Sequence, residues 1–277
     1  MPPTSIDATV ALHNGVAMPW LGLGTWQAAD GSEVERAILE AIKLGYRSID
    51  TASIYGNEVG VGNAVRNGGL PRDQLFITSK VWNSDQGFEN TLRAFDASMQ
   101  RLGLDYLDLY LVHWPVQGKY RDTWKALEKL YADQRVRAIG VSNFLTHHLD
   151  DLLPGVRVVP MVNQVEFHPW LVQPKLLDYC RQRKIQVEAW APLMRGRFAD
   201  IPEITAIARQ HQKSPAQVLL RWDLQHEVVT IPKSTSAQRL AENAALFDFS
   251  LSAAEMAQLD ALECGQRVGP DPDNFNF

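Results

Sequence analysis

Eight short apolar runs, separated by amphipathic stretches, constrain this chain more than any other feature of its sequence. The runs are MPWLGLGT, YRSID, LFITSK, LDLYLVHW, VRAIGVSN, PMVNQVEF, IQVEAW and VVTIPKS. Between them the apolar period changes to that of a helix. SEVERAILEAIKLG places Val34, Ile38, Ala41, Ile42 and Gly45 on one face. FENTLRAFDASMQRLG repeats the pattern and ends at Gly103, a C-cap glycine. Strands alternating with helices make a parallel sheet, and eight parallel strands can close into a barrel. The run-ending residues Asp50, Lys80, His113 and Ser142 follow one another at roughly 30-residue intervals, the length of one βα unit. The longer gap from Trp190 to Lys233 holds two helical stretches, PEITAIARQH and SPAQVLLRWDLQ, one of which is expected outside the ring. LSAAEMAQLDALE adds a last helix after the eighth run. The opening TVALHNGVAMP alternates about Asn14-Gly15, a type I′ turn pair, and predicts a β-hairpin. The predicted fold class is therefore α/β: a (β/α)8 TIM barrel with an N-terminal β-hairpin and two extra helices. Residues 1–277 are expected to form a single barrel domain.

Composition excludes several function classes. A net charge of −5 gives no reason to expect nucleic acid or an anionic membrane as a partner. No apolar run reaches the length of a membrane span. Two cysteines, Cys180 and Cys264, cannot make a disulfide framework. They are read as inert. With no signal-peptide pattern at MPPTSIDATV, a cytoplasmic location is expected.

The polar residues that end the runs carry the chemistry. One polar residue ending a strand marks only the start of a solvated loop. In a barrel, however, the C-terminal strand ends together build the active site, and here Asp50, Lys80, His113, Ser142, Asn143, Gln164, Trp190, Lys233 and Ser234 all fall there. Asp50, Tyr55, Lys80 and His113 make a coherent set. A phenol is a poor acid at neutral pH, and a neighbouring ammonium is expected to lower its pKa. A buried ammonium needs a counter-charge, which Asp50 supplies. The imidazole offers a second hydrogen bond to an oxygen held beside the phenol. Such a site can protonate a developing alkoxide. That product implies hydride arriving at a carbonyl carbon from a nicotinamide or flavin. No GxGxxG is present, since GLGTWQ and GVGNAV each lack the third glycine. Instead, IPKSTSAQRLAEN places Lys233 and Arg239 around a helix start that Ser236 can cap, a setting suited to phosphate.

Three motifs then resemble the aldo-keto reductase family, particularly bacterial members of the diketogluconate and methylglyoxal reductase type. They are GYRSIDTASIYGNEVGVG (Gly45–Gly62), RAIGVSNF (Arg137–Phe144) and IPKSTSAQRLAEN (Ile231–Asn243), in family order and spacing. The resemblance implies that Asp50, Tyr55, Lys80 and His113 are the catalytic tetrad, with Tyr55 as general acid. It implies NADP as cofactor, taken up as NADPH. Ser142, Asn143 and Gln164 would hold the carboxamide, and Trp190, where many relatives carry tyrosine, would stack on the nicotinamide. Lys233, Ser234, Thr235, Arg239, Glu242 and Asn243 would bind the adenosine and 2′-phosphate. Thr25 and the loop PLMRGRF, with Pro192, Leu193 and Gly196, complete the cofactor set, and Arg195 and Arg197 could add charge there. The implied activity is oxidoreductase chemistry: hydride transfer from nicotinamide C4 to aldehydes or ketones, especially small polar or sugar-derived carbonyls. The alternatives are a non-catalytic nicotinamide-binding regulatory protein and an unrelated barrel hydrolase or phosphate-sugar enzyme.

Among the eight tryptophans, Trp26, Trp82 and Trp114 lie at strand ends on the site face and are expected to wall the substrate pocket. Phe275 and Phe277, in the C-terminal GPDPDNFNF, are expected to help close it. His147-His148 is the tempting metal pair, but adjacent helical residues point apart and no third ligand stands at suitable spacing, so no metal is expected. His168 is read as structural. The expected partner is a small-molecule carbonyl substrate, and the chain is expected to be a monomer.

Overall fold

The computed structural model describes residues 2–277. Two short strands, β1 (Thr9–Ala11) and β2 (Ala17–Pro19), pair antiparallel as an N-terminal hairpin. Its turn differs from the expected type I′. Gly15 has φ +87° while Asn14 does not have positive φ. Leu12 N–H donates to Val16 O, and Gly15 N–H donates to Leu12 O. This is a three-residue loop with glycine in the left-handed position, a geometry the Asn-Gly pair serves equally well. The Asn14 side chain instead reaches out, donating to Arg137 O at 3.0 Å, while His13 Nε2 lies 3.1 Å from Val159 O. Both contacts are near the N-terminal ends of barrel strands, so the hairpin sits at that end.

The barrel strands follow in order: β3 (Gly22–Gly24), β4 (Ser48–Asp50), β5 (Phe76–Val81), β6 (Leu107–Val112), β7 (Val136–Ser142), β8 (Val162–Glu166), β9 (Gln186–Trp190) and β10 (Val229–Thr230). All neighbours pair in parallel, in sequence order. Parallel bridges Leu21–Thr230 and Gly24–Lys233 close the ring, with Thr230 N–H donating to Trp20 O. Every residue of β5, β6 and β8 is buried, as expected for strands covered on both sides.

One helix follows each strand around the outside: α1 (Ser32–Lys43), α2 (Glu58–Asn67), α3 (Phe88–Leu102), α4 (Tyr120–Ala132), α5 (Thr146–Leu152) and α6 (Pro174–Gln182). After β9 come two, α7 (Pro202–His211) and α8 (Pro215–Gln225), then α9 (Ala237–Ala244) follows β10 and α10 (Ala253–Asp260) ends the set. α8 packs on β10 and α9, whereas α7 packs on α8 and α10. The extra helices are thus α7 and α10. The buried face of α1 is Val34, Ala37, Ile38, Ala41 and Ile42. α3 ends at Gly103, in the left-handed conformation, whose N–H bonds Met99 O. Among the described residues no helix is long and apolar enough to cross a membrane.

Candidate active site

Short strands ending in polar residues bring those residues to one mouth. Asp50 closes β4, and register places it beside Gly24 of β3 and Thr78 of β5. Lys80 stands near the end of β5 with no exposed surface. Its Nζ donates to Asp50 Oδ1 at 2.5 Å and to Thr51 O at 2.9 Å. Tyr55 is carried over this pair by a 3-10 turn, Ser53–Tyr55, which Ser53 Oγ ties to Lys80 O at 3.1 Å. The Lys80 ammonium lies 5.2 Å from the Tyr55 ring centre. His113 follows β6, its ring 5.8 Å from that of Tyr55 at an interplanar angle of 73°. The structure therefore brings together Asp50, Tyr55, Lys80 and His113.

A cavity of about 1110 Å³ opens over them. Asp50, Tyr55 and His113 form part of its wall, with Ser142, Asn143, Gln164 and Trp190 from the next three strands. Trp190 Nε1 donates to Asn143 Oδ1 at 2.8 Å, and Asn143 Nδ2 donates to His113 O at 2.9 Å. Asn143 holds this place with φ +65°, a backbone region that asparagine tolerates better than most residues. Gln164 Nε2 donates to Asp50 Oδ2 at 2.8 Å and to Glu188 Oε2 at 2.7 Å. Both amide hydrogens are thus committed, and the carbonyl is what Gln164 can offer the cavity.

The same cavity runs on past Pro192, Leu193 and Gly196 to Lys233, Arg239, Glu242 and Asn243. Ser236 caps α9, its Oγ accepting from Arg239 N–H. Thr25, Ser234 and Thr235 lie outside the lining. Thr25 Oγ1 is committed to Asp50 O at 2.9 Å, and Ser234 Oγ accepts from Ser236 N–H within the loop before α9. Thr235 is exposed on that loop.

At the other end stand Trp26, Trp82, Trp114 and Phe277. Trp82 packs edge-on against His113 at 5.1 Å and stacks on Phe277 at 5.7 Å and 7°. Phe275 lies behind, against Trp114 at 5.1 Å, outside the lining. Trp26 is partly exposed and carries the Arg195 guanidinium 4.7 Å from its ring centre. That cation–aromatic contact joins the β3 loop to the β9 loop across the cavity mouth.

Burial dominates the electrostatics. It is the largest influence on Tyr55 and raises the phenol pKa. Lys80 pulls it down, but less strongly. The expected net lowering by the ammonium is therefore overturned in this enclosed site, and the phenol rests protonated. Burial also works hardest against the charge on Lys80, yet Asp50, Tyr55 and Glu188 outweigh it and raise the ammonium pKa. Burial first, and Lys80 second, hold His113 well below the usual imidazole range. Glu188, buried and beside Asp50, is pushed up to about 8.

Two acidic residues escaped the sequence reading. Glu188 lies inside β9, two residues before the strand end, where it reads as one polar residue in a buried run. Glu166 ends β8, and its carboxylate accepts from Val268 N–H, Gly269 N–H and the buried His168 Nε2. It thereby fastens the C-terminal segment to the barrel. A Cβ on Gly269 would lie 2.3 Å from Trp190 Cη2, so the backbone there rests directly on the indole. The segment also supplies the third group that the spacing around His147-His148 did not show: Asp273 Oδ1 lies 2.9 Å from His147 Nε2 and 3.5 Å from His148 Nε2. His148 Nδ1 accepts from Leu145 N–H, so the ring proton sits on Nε2, facing Asp273. The two imidazole rings lie 4.0 Å apart, so the adjacent histidines do not point apart as expected, and with Asp273 they form the three-residue group that the sequence spacing did not show.

Comparison with known proteins agrees with this architecture. The model of the aldo/keto reductase family matches residues 20–263. A glyoxal reductase of Bacillus subtilis (strain 168) is 59% identical over 275 residues, covering 99% of this chain and 100% of that protein. Among solved structures, an aldo-keto reductase from a Medee basin deep-sea metagenome library matches with a TM-score of 0.94 at 42% identity, covering 97% of this chain and 100% of that one. A Gox0644 mutant in complex with NADPH gives 0.92 at 42% identity, covering 97% and 98%. With the family model running from before the first barrel strand to beyond the last helix, and a relative this similar over nearly its whole length, the chain belongs to the aldo/keto reductase family.

Proposed function

We propose that the protein reduces small polar aldehydes and ketones to alcohols with NADPH, using Tyr55 as the proton donor. The observation that carries this reading is the convergence of the phenol, the Lys80–Asp50 pair and the His113 imidazole beneath one elongated cavity.

The residues present fit a nicotinamide dinucleotide phosphate. Toward the tetrad the cavity offers Trp190 as an aromatic face and the Gln164 carbonyl as an acceptor for a carboxamide N–H. Ser142 and Asn143 complete that end, and Lys233 and Arg239 supply positive charge where a 2′-phosphate would lie. When bound, NADPH supplies hydride to the carbonyl carbon.

The chain's own residues govern the substrate oxygen. His113 is neutral at physiological pH, because burial disfavours its cation. Its Nδ1 is buried without a hydrogen-bond partner among the described residues, so the proton belongs on Nε2. That N–H orients the carbonyl beside Tyr55. As charge develops on the oxygen, Tyr55 O–H donates its proton, and the nearby Lys80 ammonium stabilises the phenolate left behind. Asp50 keeps Lys80 in place and charged. The aromatic residues around Trp82 and Trp114 limit the room beside the tetrad, which favours small substrates. The glyoxal reductase relative supports the same class.

NADPH oxidation against glyoxal, methylglyoxal, sugars and aromatic aldehydes tests the reading. Turnover is expected with small dicarbonyls and polar aldehydes. NADPH binding without oxidation by any of them would contradict it and favour a regulatory nucleotide-binding role.

A further inference from the structure

Glu188 takes no part in the proton transfer described above, yet it is fully buried directly beside the residues that do. Register pairs Gln164 of β8 with Glu188 of β9, and both side chains meet inside the barrel. The Gln164 amide is shared between two carboxyls, Asp50 at 2.8 Å and Glu188 at 2.7 Å. Asp50 in turn holds Lys80 through its other oxygen. A continuous path thus runs Glu188–Gln164–Asp50–Lys80. Three ionisable groups face Glu188: Asp50 from β4, Lys80 from β5, and Tyr55 from the turn after β4. Gln164 on β8 is uncharged, and the register partner on β10 is Val229.

The path fixes an orientation. An amide whose nitrogen faces two carboxyl oxygens cannot flip without turning its own oxygen toward them, so the Gln164 carbonyl is held toward the cavity. One ammonium also serves two carboxyls. Asp50 touches Lys80 directly, whereas Glu188 Oε1 has no hydrogen-bond partner among the described residues. A second carboxylate with a bare oxygen in this interior is strongly disfavoured, so Glu188 is the group that retains a proton.

We propose that Glu188 is a positioning residue of the reductase, setting the Gln164 amide for the nicotinamide carboxamide and keeping a second negative charge away from Lys80 and Tyr55. This rests on the reductase reading given above. Loss of the Glu188 proton adds a negative charge beside Tyr55, which makes the phenol a weaker acid and slows reduction.

The test compares Glu188→Ala and Glu188→Gln for NADPH affinity, by fluorescence, and for the pH profile of kcat. Glu188→Ala is expected to lose about tenfold in NADPH affinity and in kcat, the scale of one buried hydrogen bond. Glu188→Gln, neutral and able to accept the same bond, is expected to recover most of both. The wild type should decline above pH about 8, and Glu188→Gln should carry its plateau higher. If Glu188→Ala does not fold, the Glu188→Gln profile decides alone. Identical alkaline limbs in the wild type and Glu188→Gln would overturn the proposal, as would wild-type affinity and turnover in Glu188→Ala. The wild type and Tyr55→Phe run alongside separate the claims: a wild type that oxidises no NADPH sinks the reductase reading and full turnover in Tyr55→Phe sinks the tyrosine's role, whereas an active wild type beside an unaltered Glu188→Gln profile sinks only this inference.

Discussion

At the scale of single residues, cofactor choice should rest on a single guanidinium. Arg239 lies in the first turn of α9 and lines the far end of the cavity, where its planar fork can engage a phosphate in a way lysine cannot. Arg239→Ala is therefore expected to raise the KM for NADPH about tenfold while changing the KM for NADH little. Equal effects on both cofactors would place the 2′-phosphate elsewhere. The strand-end residues were legible because a polar group closing a buried run stands out against it, and Asp50, Lys80 and His113 each did so. Their ionisation was less legible. Proximity of Lys80 to Tyr55 suggested a lowered phenol pKa, but the depth of the site, which no local pattern reports, makes burial the larger effect. Glu188 was hidden for a related reason. Only the register of β8 on β9 shows that it meets Gln164.

At the scale of elements, the eight strands and the helices between them followed from periodicity, and the expected boundaries of α1 and α3 recur closely. The hairpin turn did not follow, because Asn-Gly serves two turn geometries and the sequence around it does not choose between them. The C-terminal segment was legible only as a pair of phenylalanines in a stretch rich in proline and aspartate. Its course depends on distant partners: Glu166 on the backbone of Val268 and Gly269, His147 on Asp273, and Asn83 Nδ2 on Phe277 O at 3.1 Å. Removing the residues after Val268 uncovers Trp82 and Trp114 and takes away one wall of the substrate end. The expected result is about a tenfold rise in KM for small carbonyls, the loss of roughly one well-packed aromatic contact, with NADPH affinity changed far less. An unchanged KM across several aldehydes would show that the segment does not bound the substrate.

At the scale of the molecule, the barrel explains why residues drawn from the ends of all eight strands can act together. Each strand contributes one or two side chains at the same end, and closure through Leu21–Thr230 and Gly24–Lys233 brings the first strand beside the last. That closure sets Trp26, after β3, beside Arg195, after β9. It also lets one cavity reach from the cationic end at Lys233 and Arg239 to Asp50, Tyr55 and His113. The central claim is that this assembly delivers a proton from one phenol as hydride reaches carbon. Tyr55→Phe keeps the ring and its packing and removes only the hydroxyl, so the most direct measurement is single-turnover NADPH oxidation by that variant with methylglyoxal, beside NADPH binding followed by fluorescence. The predicted result is wild-type NADPH affinity with the rate lowered on the order of 10²–10⁴-fold; a rate close to wild type would contradict the account.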